Sequence, residues 1–295
     1  MSAFAPRSFP RTAEDWSELW HNKQQARSME HGAAYWDARS RTYESKDSPG
    51  SYTARFLEYA ALAPGDAVFD MGCGTGNLTI PLARAGHQVC AADFSSGMLA
   101  KLEEAVCAEG LQDRVRIVQL AWDDDWEAAG IHEGAFDACF ASRSIATEDL
   151  LGALCKLDGA ARKRCCITLP YSTSPRIDDR MIADVGFAVH PSYDSSYAIA
   201  MVSALGQLPT LTYIPTTRTD TFESTEAALE RYLDMARAYE ADAQQHLPGD
   251  ELRSRVSAWL DANLAPAADD SHLLTLKEQR TSFWAFIAWT KGPAA

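Results

Sequence analysis

The stretch Ala67-Val68-Phe69-Asp70-Met71-Gly72-Cys73-Gly74-Thr75-Gly76-Asn77-Leu78 decides the fold. A short apolar run ends in glycines at 72, 74 and 76, and apolar residues at helical spacing follow from Leu78 to Ala85. The pattern reads as strand, tight turn, helix. Glycine lets a backbone turn where a Cβ would collide with a ligand, and the helix amino terminus then faces that ligand with free N–H groups. A glycine triplet alone serves dinucleotide folds equally well. Two neighbours weigh against a dinucleotide: Asp70 precedes the first glycine, and the third glycine falls at 76, whereas the dinucleotide fingerprint places it at 77, here Asn77.

A carboxylate beside the loop repels a pyrophosphate and suits a cofactor that carries an ammonium and a sulfonium. The charge pattern therefore points to S-adenosylmethionine. A second strand, Gln88 to Ala92, leads to Asp93, where an acidic residue at a neighbouring strand end reaches ribose hydroxyls. Further out, the rhythm repeats. Gly97 to Glu109 reads as a helix, Val115 to Leu120 as a strand, Phe136 to Ala141 as a strand, Glu148 to Ala161 as a helix and Arg164 to Leu169 as a strand. Apolar strands alternating with helices predict an α/β fold, a doubly wound and mostly parallel Rossmann-like sheet.

Residues 12 to 62 read as largely helical, broken by the loop Ser48-Pro49-Gly50-Ser51. After Pro170 the alternation stops. The segment to about Thr275 is irregular and then helical, with stripes at Leu229, Tyr232, Leu233 and Ala236 and at Leu252, Val256, Trp259 and Leu260. Within it Pro209 to Phe222 is a candidate sixth strand, and Thr281 to Trp289 is apolar and aromatic enough to return to the sheet. The expected division is an amino-terminal helical segment over the cofactor (1–62), a cofactor-binding core (63–170), a lid or substrate cap (171–275) and a final core strand (276–295).

Composition bounds the partners. The 295 residues carry 27 Lys and Arg against 41 Asp and Glu, a formal net charge of −14, which disfavours a long phosphate backbone. The one compact basic run, Arg162-Lys163-Arg164, is too short to reverse that field. Seven scattered cysteines fit a reducing cytoplasm better than a disulfide framework. No stretch approaches the ~18 apolar residues of a membrane span. No His/Cys/Asp cluster has metal-ligand spacing, and Cys165 and Cys166, adjacent on a strand, point to opposite faces. The expected partner is a small-molecule acceptor, with no nucleic acid and no membrane, for a monomer or homodimer.

The stretch from Ala67 to Leu169 resembles the class I S-adenosylmethionine-dependent methyltransferases, in the branch that is similar to the ubiquinone and menaquinone biosynthesis enzymes; Asp70 to Gly76 carries the match to the first motif of that family. The resemblance implies that Asp70, Gly72, Cys73, Gly74, Thr75 and Gly76 cradle the methionine portion, that Asp93 binds the ribose, and that Phe94 and Met98 lie near the adenine. It also implies an acidic residue after the third strand for the adenine amino group, for which Asp123 in Ala121-Trp122-Asp123-Asp124-Asp125 is the candidate and Trp122 a wall; a solvated acidic loop is the competing reading.

The exit of the fourth strand, Ala141-Ser142-Arg143-Ser144, faces the methyl-transfer position in that family. Ala141 is expected to line the cofactor, and Arg143 either clamps an anionic acceptor or is a surface arginine or one paired with Glu148 or Asp149. The family's nucleic-acid amine methylases carry an Asn/Asp-Pro-Pro-Tyr-like run here, which this chain lacks. Aromatic faces attract cations within ~6 Å, so Tyr35, Trp36 and Tyr43 are candidates to close over the sulfonium; the competing reading, that they pack the amino-terminal helix on the core, weighs more for Trp36 than for Tyr43. His31, His190, Tyr171 and Tyr193 are polar but do not define a general base. Two rival functions share the loop: a non-catalytic S-adenosylmethionine sensor and a nicotinamide-dependent oxidoreductase.

Overall fold

The computed structural model describes residues 12–25, 33–40, 51–145, 147–172, 174–243, 245–268, 270 and 272–291. Its sheet grows from the glycine-loop strand β1 (Ala67–Met71), which pairs in parallel with β2 (Gln88–Asp93) on one side and β4 (Phe136–Ser142) on the other. Outward from these lie β3 (Val115–Gln119) and β5 (Ala161–Pro170), both parallel. The last strand, β10 (Arg280–Thr290), returns antiparallel to β5, and β6 (Thr210–Arg218) pairs antiparallel with β10 at the edge. The resulting seven-stranded order is β3-β2-β1-β4-β5-β10-β6. The order reverses between β1 and β4, so their carboxyl ends open the crevice where doubly wound sheets bind ligands.

Side chains alternate across each strand, which sorts the core into two layers. Phe69, Met71, Cys139, Ala141, Cys165 and Ile167 face one layer, closed by Trp20 of α1 (Ala13–Gln25), by α6 (Leu150–Ala160) and by α8 (Asp194–Ala204). Val68, Ala138, Phe140, Cys166 and Phe286 face the other, closed by α3 (Ser51–Ala60), α4 (Thr79–Arg84) and α5 (Ser96–Ala108). Cys165 and Cys166 thus lie on opposite faces, as the strand period requires. A further helix, α2 (Ala33–Ser40), packs on α5.

In the stretch after β5, β6 joins the sheet within the candidate sixth strand Pro209 to Phe222, and helix α8, which the sequence reading placed in the cap, packs on α1, α6 and β5. The remaining helices, α7 (Asp179–Val185), α9 (Thr225–Ala243) and α10 (Gly249–Asn263), bury Met181, Ile182, Tyr232, Trp259 and Leu260 in a third cluster of their own. A small sheet ordered β7-β9-β8, from β7 (Thr221–Phe222), β8 (Leu264–Pro266) and β9 (Leu274–Leu276), completes it. No helix among the described residues is long and apolar enough to cross a membrane.

Candidate active site

The crevice begins with Asp70, whose side chain shares the face of Val68 and so turns towards α4, where its Oδ2 accepts a hydrogen bond from the Thr79 hydroxyl at 2.7 Å. It is almost fully buried. Burial, the largest influence, pushes its carboxyl up to about 6; the Thr79 hydroxyl pulls it down and the neighbouring Asp93 charge pushes it up again. Two carboxylates therefore share one desolvated corner. Asp93, also buried, is raised by burial and held down by the backbone N–H groups it accepts from Ser95 and Gly74, each at 2.9 Å.

The loop between them is fixed by its own backbone. Gly72 and Cys73 donate to the Ala92 carbonyl at 2.7 and 3.0 Å, and Gly76 donates to Cys73. At Gly72 a Cβ would stand 2.2 Å from the Ser144 Cβ, because Ser144 lies against the loop with its hydroxyl donating to the Met71 carbonyl at 2.7 Å. Gly74 is the opposite case. Its φ is +55° and a Cβ there would meet no protein atom within 4 Å. Its own N–H donates to Asp93, so the turn stands beside a buried carboxylate, a setting that suits a ligand with cationic groups. The Cys73 thiol is buried and held well above its ordinary value, first by burial and then by the two aspartates, so it packs the loop as a neutral group.

Around this centre Met98 is buried in the first turn of α5, where its N–H is capped by the Ser95 hydroxyl, and Phe94 is half-buried just after β2. Thr75 is half-buried in the loop. Trp122 leans on Trp126 with ring centroids 5.5 Å apart and donates from its indole to the Ser144 carbonyl at 2.9 Å, tying the β3 exit to the β4 exit. Asp123 is exposed, and it is Asp124 that folds back to accept the Ala121 N–H. Ala141 is fully buried under the crevice. Tyr43 and His31 lie outside the described residues.

Arg143 is paired with neither acid anticipated for it. Asp149 caps α6 through Gly152 and Glu148 stands 3.5 Å from His21, whereas the Arg143 guanidinium lies 4.4 Å from the Tyr52 ring centre and 5.9 Å from that of Trp284. Trp36, half-buried on α2, takes the Arg176 guanidinium over its ring at 5.2 Å, so it also touches the segment after β5. Tyr171, Tyr193 and His190 are exposed, with no grouping that marks a base.

Sequence reasoning missed Asp37 on α2. Its Oδ1 accepts from the Ser95 hydroxyl at 2.6 Å and from the Gly97 N–H at 3.0 Å, and these two donors hold its carboxyl below the ordinary value. It also missed Tyr52 and Thr168, which meet across 116 residues of sequence. Among the described residues no group of three or more His, Cys, Asp or Glu side chains is placed to hold a metal ion.

The comparisons with known proteins agree with this geometry. Residues 68–159 match the family model described as "Methyltransferase domain". This segment is a methyltransferase domain. Its sheet order is that of the doubly wound, mostly parallel Rossmann-like sheet expected from the sequence. An uncharacterized protein of Haemophilus influenzae is 33% identical over 120 residues, which is 41% of this chain and 43% of that one. A 23S rRNA (uracil(1939)-C(5))-methyltransferase of Chromobacterium violaceum is 34% identical over 84 residues, 28% of this chain and 16% of its own. The chain thus spans less than half the length of these relatives. The YcgJ protein of Bacillus subtilis shares the fold of the methyltransferase domain and its surroundings, with a TM-score of 0.52 at 13% identity over 82% of this chain and 98% of that one. These matches carry the class of the domain and not the quinone-biosynthesis branch.

Proposed function

We propose that the whole chain transfers a methyl group from S-adenosylmethionine to an O, N, S or C atom of a small-molecule acceptor. The observation that carries this reading is the glycine loop itself: Gly74, with open space where a Cβ would stand, donates its N–H to the buried Asp93 carboxylate, and the loop follows directly on the buried Asp70. Bound there, the cofactor supplies a methyl group on a sulfonium that leaves as a neutral thioether.

The residues divide the work by charge and shape. Asp70 faces the cationic amino-acid end, and Gly72, Cys73, Gly74, Thr75 and Gly76 surround the methionine portion. Each Asp93 oxygen accepts one backbone N–H, which fixes the carboxylate while leaving it lone pairs for the two ribose hydroxyls. Phe94, Met98 and Trp122 wall the adenine, Asp123 takes its amino group, and Ala141 floors the crevice beside the transfer position. Tyr43 is assigned to closing over the sulfonium. Holding donor and acceptor collinear supplies much of the rate, so a general base is needed only for an acceptor that must lose a proton.

The net charge of −14 supports a small acceptor over RNA. The test is transfer of label from methyl-labelled S-adenosylmethionine into a cell extract separated into small-molecule and RNA fractions. Label in small molecules is expected; label in RNA overturns the acceptor class, and cofactor binding without label in any fraction makes the protein a sensor. Calorimetry closes the remaining alternative, since binding of NAD without binding of S-adenosylhomocysteine overturns the cofactor.

A further inference from the structure

Resting on the assignment of Asp93 to the ribose, we propose that Asp37 on α2 is a positioning residue of the cofactor site. It holds Ser95, and through Ser95 the Asp93 carboxylate, in the orientation that receives the ribose hydroxyls of S-adenosylmethionine. The link runs through one fully buried side chain. Ser95 serves three partners at once: its N–H donates to Asp93 Oδ1 at 2.9 Å, its hydroxyl oxygen accepts the Met98 N–H at 3.2 Å as the cap of α5, and its hydroxyl donates to Asp37 Oδ1 at 2.6 Å. A buried capping hydroxyl still has a proton to place, and the acceptor has to come from outside the helix. Asp37, 58 residues earlier in the chain, supplies it.

The same Oδ1 accepts the Gly97 N–H at 3.0 Å, so Asp37 also takes one of the donors that the first turn of α5 cannot satisfy within the helix. Charge favours the arrangement as well, since a carboxylate is stabilised at a helix amino terminus. The two donors keep the Asp37 carboxyl below its ordinary value, and it stays ionised.

Gly97 is an independent observation. Its φ is negative, so the backbone places no demand for glycine there, and alanine is the better residue within a helix. The demand is for space. A Cβ at Gly97 would stand 2.6 Å from the Ser40 hydroxyl oxygen and 3.2 Å from the Asp37 Cα, so α2 rests directly on the first turn of α5. Ser40, itself buried, closes the contact by donating to the Asp37 carbonyl at 2.8 Å.

Asp93 is thereby fixed from two sides, by Gly74 on Oδ2 and by Ser95 on Oδ1. The Gly74 bond ties it to the loop around the methionine portion, and the Ser95 bond is the one that α2 controls. Removing Asp37 leaves the first bond in place and releases the second, so the loss falls on the ribose.

The experiment measures, by calorimetry on the full chain, the binding of S-adenosylhomocysteine and of its 2′-deoxy and 3′-deoxy analogues. In the parent each analogue should bind about tenfold or more weakly, the worth of a hydrogen bond to a charged group. Asp37→Ala should weaken S-adenosylhomocysteine by about tenfold while the analogues lose little, so that the preference for the intact ribose shrinks to about twofold. Asp37→Asn keeps an acceptor oxygen for Ser95 and Gly97 and should restore most of the preference. Gly97→Ala keeps Asp37 and suits α5 but displaces α2, and it should shift affinity and preference in the direction of Asp37→Ala. The proposal is overturned if Asp37→Ala binds S-adenosylhomocysteine as tightly as the parent, if it loses affinity with the ribose preference intact, which would make α2 a cover only, or if Gly97→Ala keeps the parent's preference. A parent that binds S-adenosylhomocysteine and both analogues alike overturns the assignment of Asp93 to the ribose and the proposal with it, whereas a preference present in the parent and unmoved in the variants overturns the role of Asp37 alone.

Discussion

Asp70 and Gly74 turn the cofactor reading into measurable consequences. The folded-state pKa of Asp70, about 6, lies above its ordinary value of 3.8, so folding favours the protonated form. The associated stability is fully present below the ordinary value and is lost as pH rises through about 6. Asp70→Asn keeps an acceptor for Thr79 without the buried charge. It should raise the unfolding free energy at pH 8 by ~1–3 kcal/mol and leave that at pH 4 nearly unchanged, as read by urea denaturation. A cationic ligand favours the carboxylate form, so affinity for S-adenosylmethionine should fall as pH drops through about 6 in the parent and stay flat in Asp70→Asn. The two glycines give a second contrast. Gly72→Ala drives a Cβ into Ser144 and should cost ~2–4 kcal/mol of stability, whereas Gly74→Ala meets open space and should cost only the ~1 kcal/mol of left-handed strain while losing tenfold or more in cofactor affinity. Equal losses of stability at both positions would mean that the space at Gly74 is not a ligand's.

At the scale of elements, α3 does two things at once. Residues four apart on a helix share a face, so Tyr52 reaches the Ser142 and Thr168 hydroxyls while Phe56 packs edge-on against Phe140 and Phe286, each centroid 5.1 Å away. Phe56 is fully buried, and Phe56→Ala should destabilise the protein by about 3–5 kcal/mol, measurable as a shifted urea midpoint at unchanged slope. The strands from β1 to β5 were legible because each is a short apolar run stopped by a polar or glycine residue, and β6 because its residues alternate. The helices α7 and α8 were not. The first is only a turn or two long, and α8 is enclosed by α1, α6 and the sheet, so the polar stripe that marks a surface helix is missing from its Ser- and Ala-rich sequence. The small sheet β7-β9-β8 escaped notice because strands of two or three residues have no period to read. The same limit applies to the site: the glycine loop and its carboxylates are local in sequence, but Asp37 meets Ser95 across 58 residues and Tyr52 meets Thr168 across 116, and no spacing rule links such pairs.

For the molecule as a whole, the sheet carries two core layers and the stretch between β5 and β10 carries a third, so stability need not be uniform. Chain connectivity makes the third cluster depend on the sheet, since β6 and β10, which bracket α9 and α10 in sequence, are themselves sheet strands. The reverse dependence is weak, because β1, β4 and the glycine loop take their packing from the two sheet layers. Trp259 is the residue that separates these cases. It is buried in α10, lies 5.2 Å from Tyr232, and donates from its indole to Asp184 at 3.1 Å. Trp259→Ala should remove ~3–5 kcal/mol from the third cluster. Hydrogen exchange should then show lost protection in α7, α9 and α10 with protection retained in β1 and β4, and affinity for S-adenosylhomocysteine should remain that of the parent. Loss of protection in all of these elements together would instead mean that the three clusters unfold as one cooperative unit, and the segment from α9 to β9 would then have to be treated as part of the cofactor domain's own core.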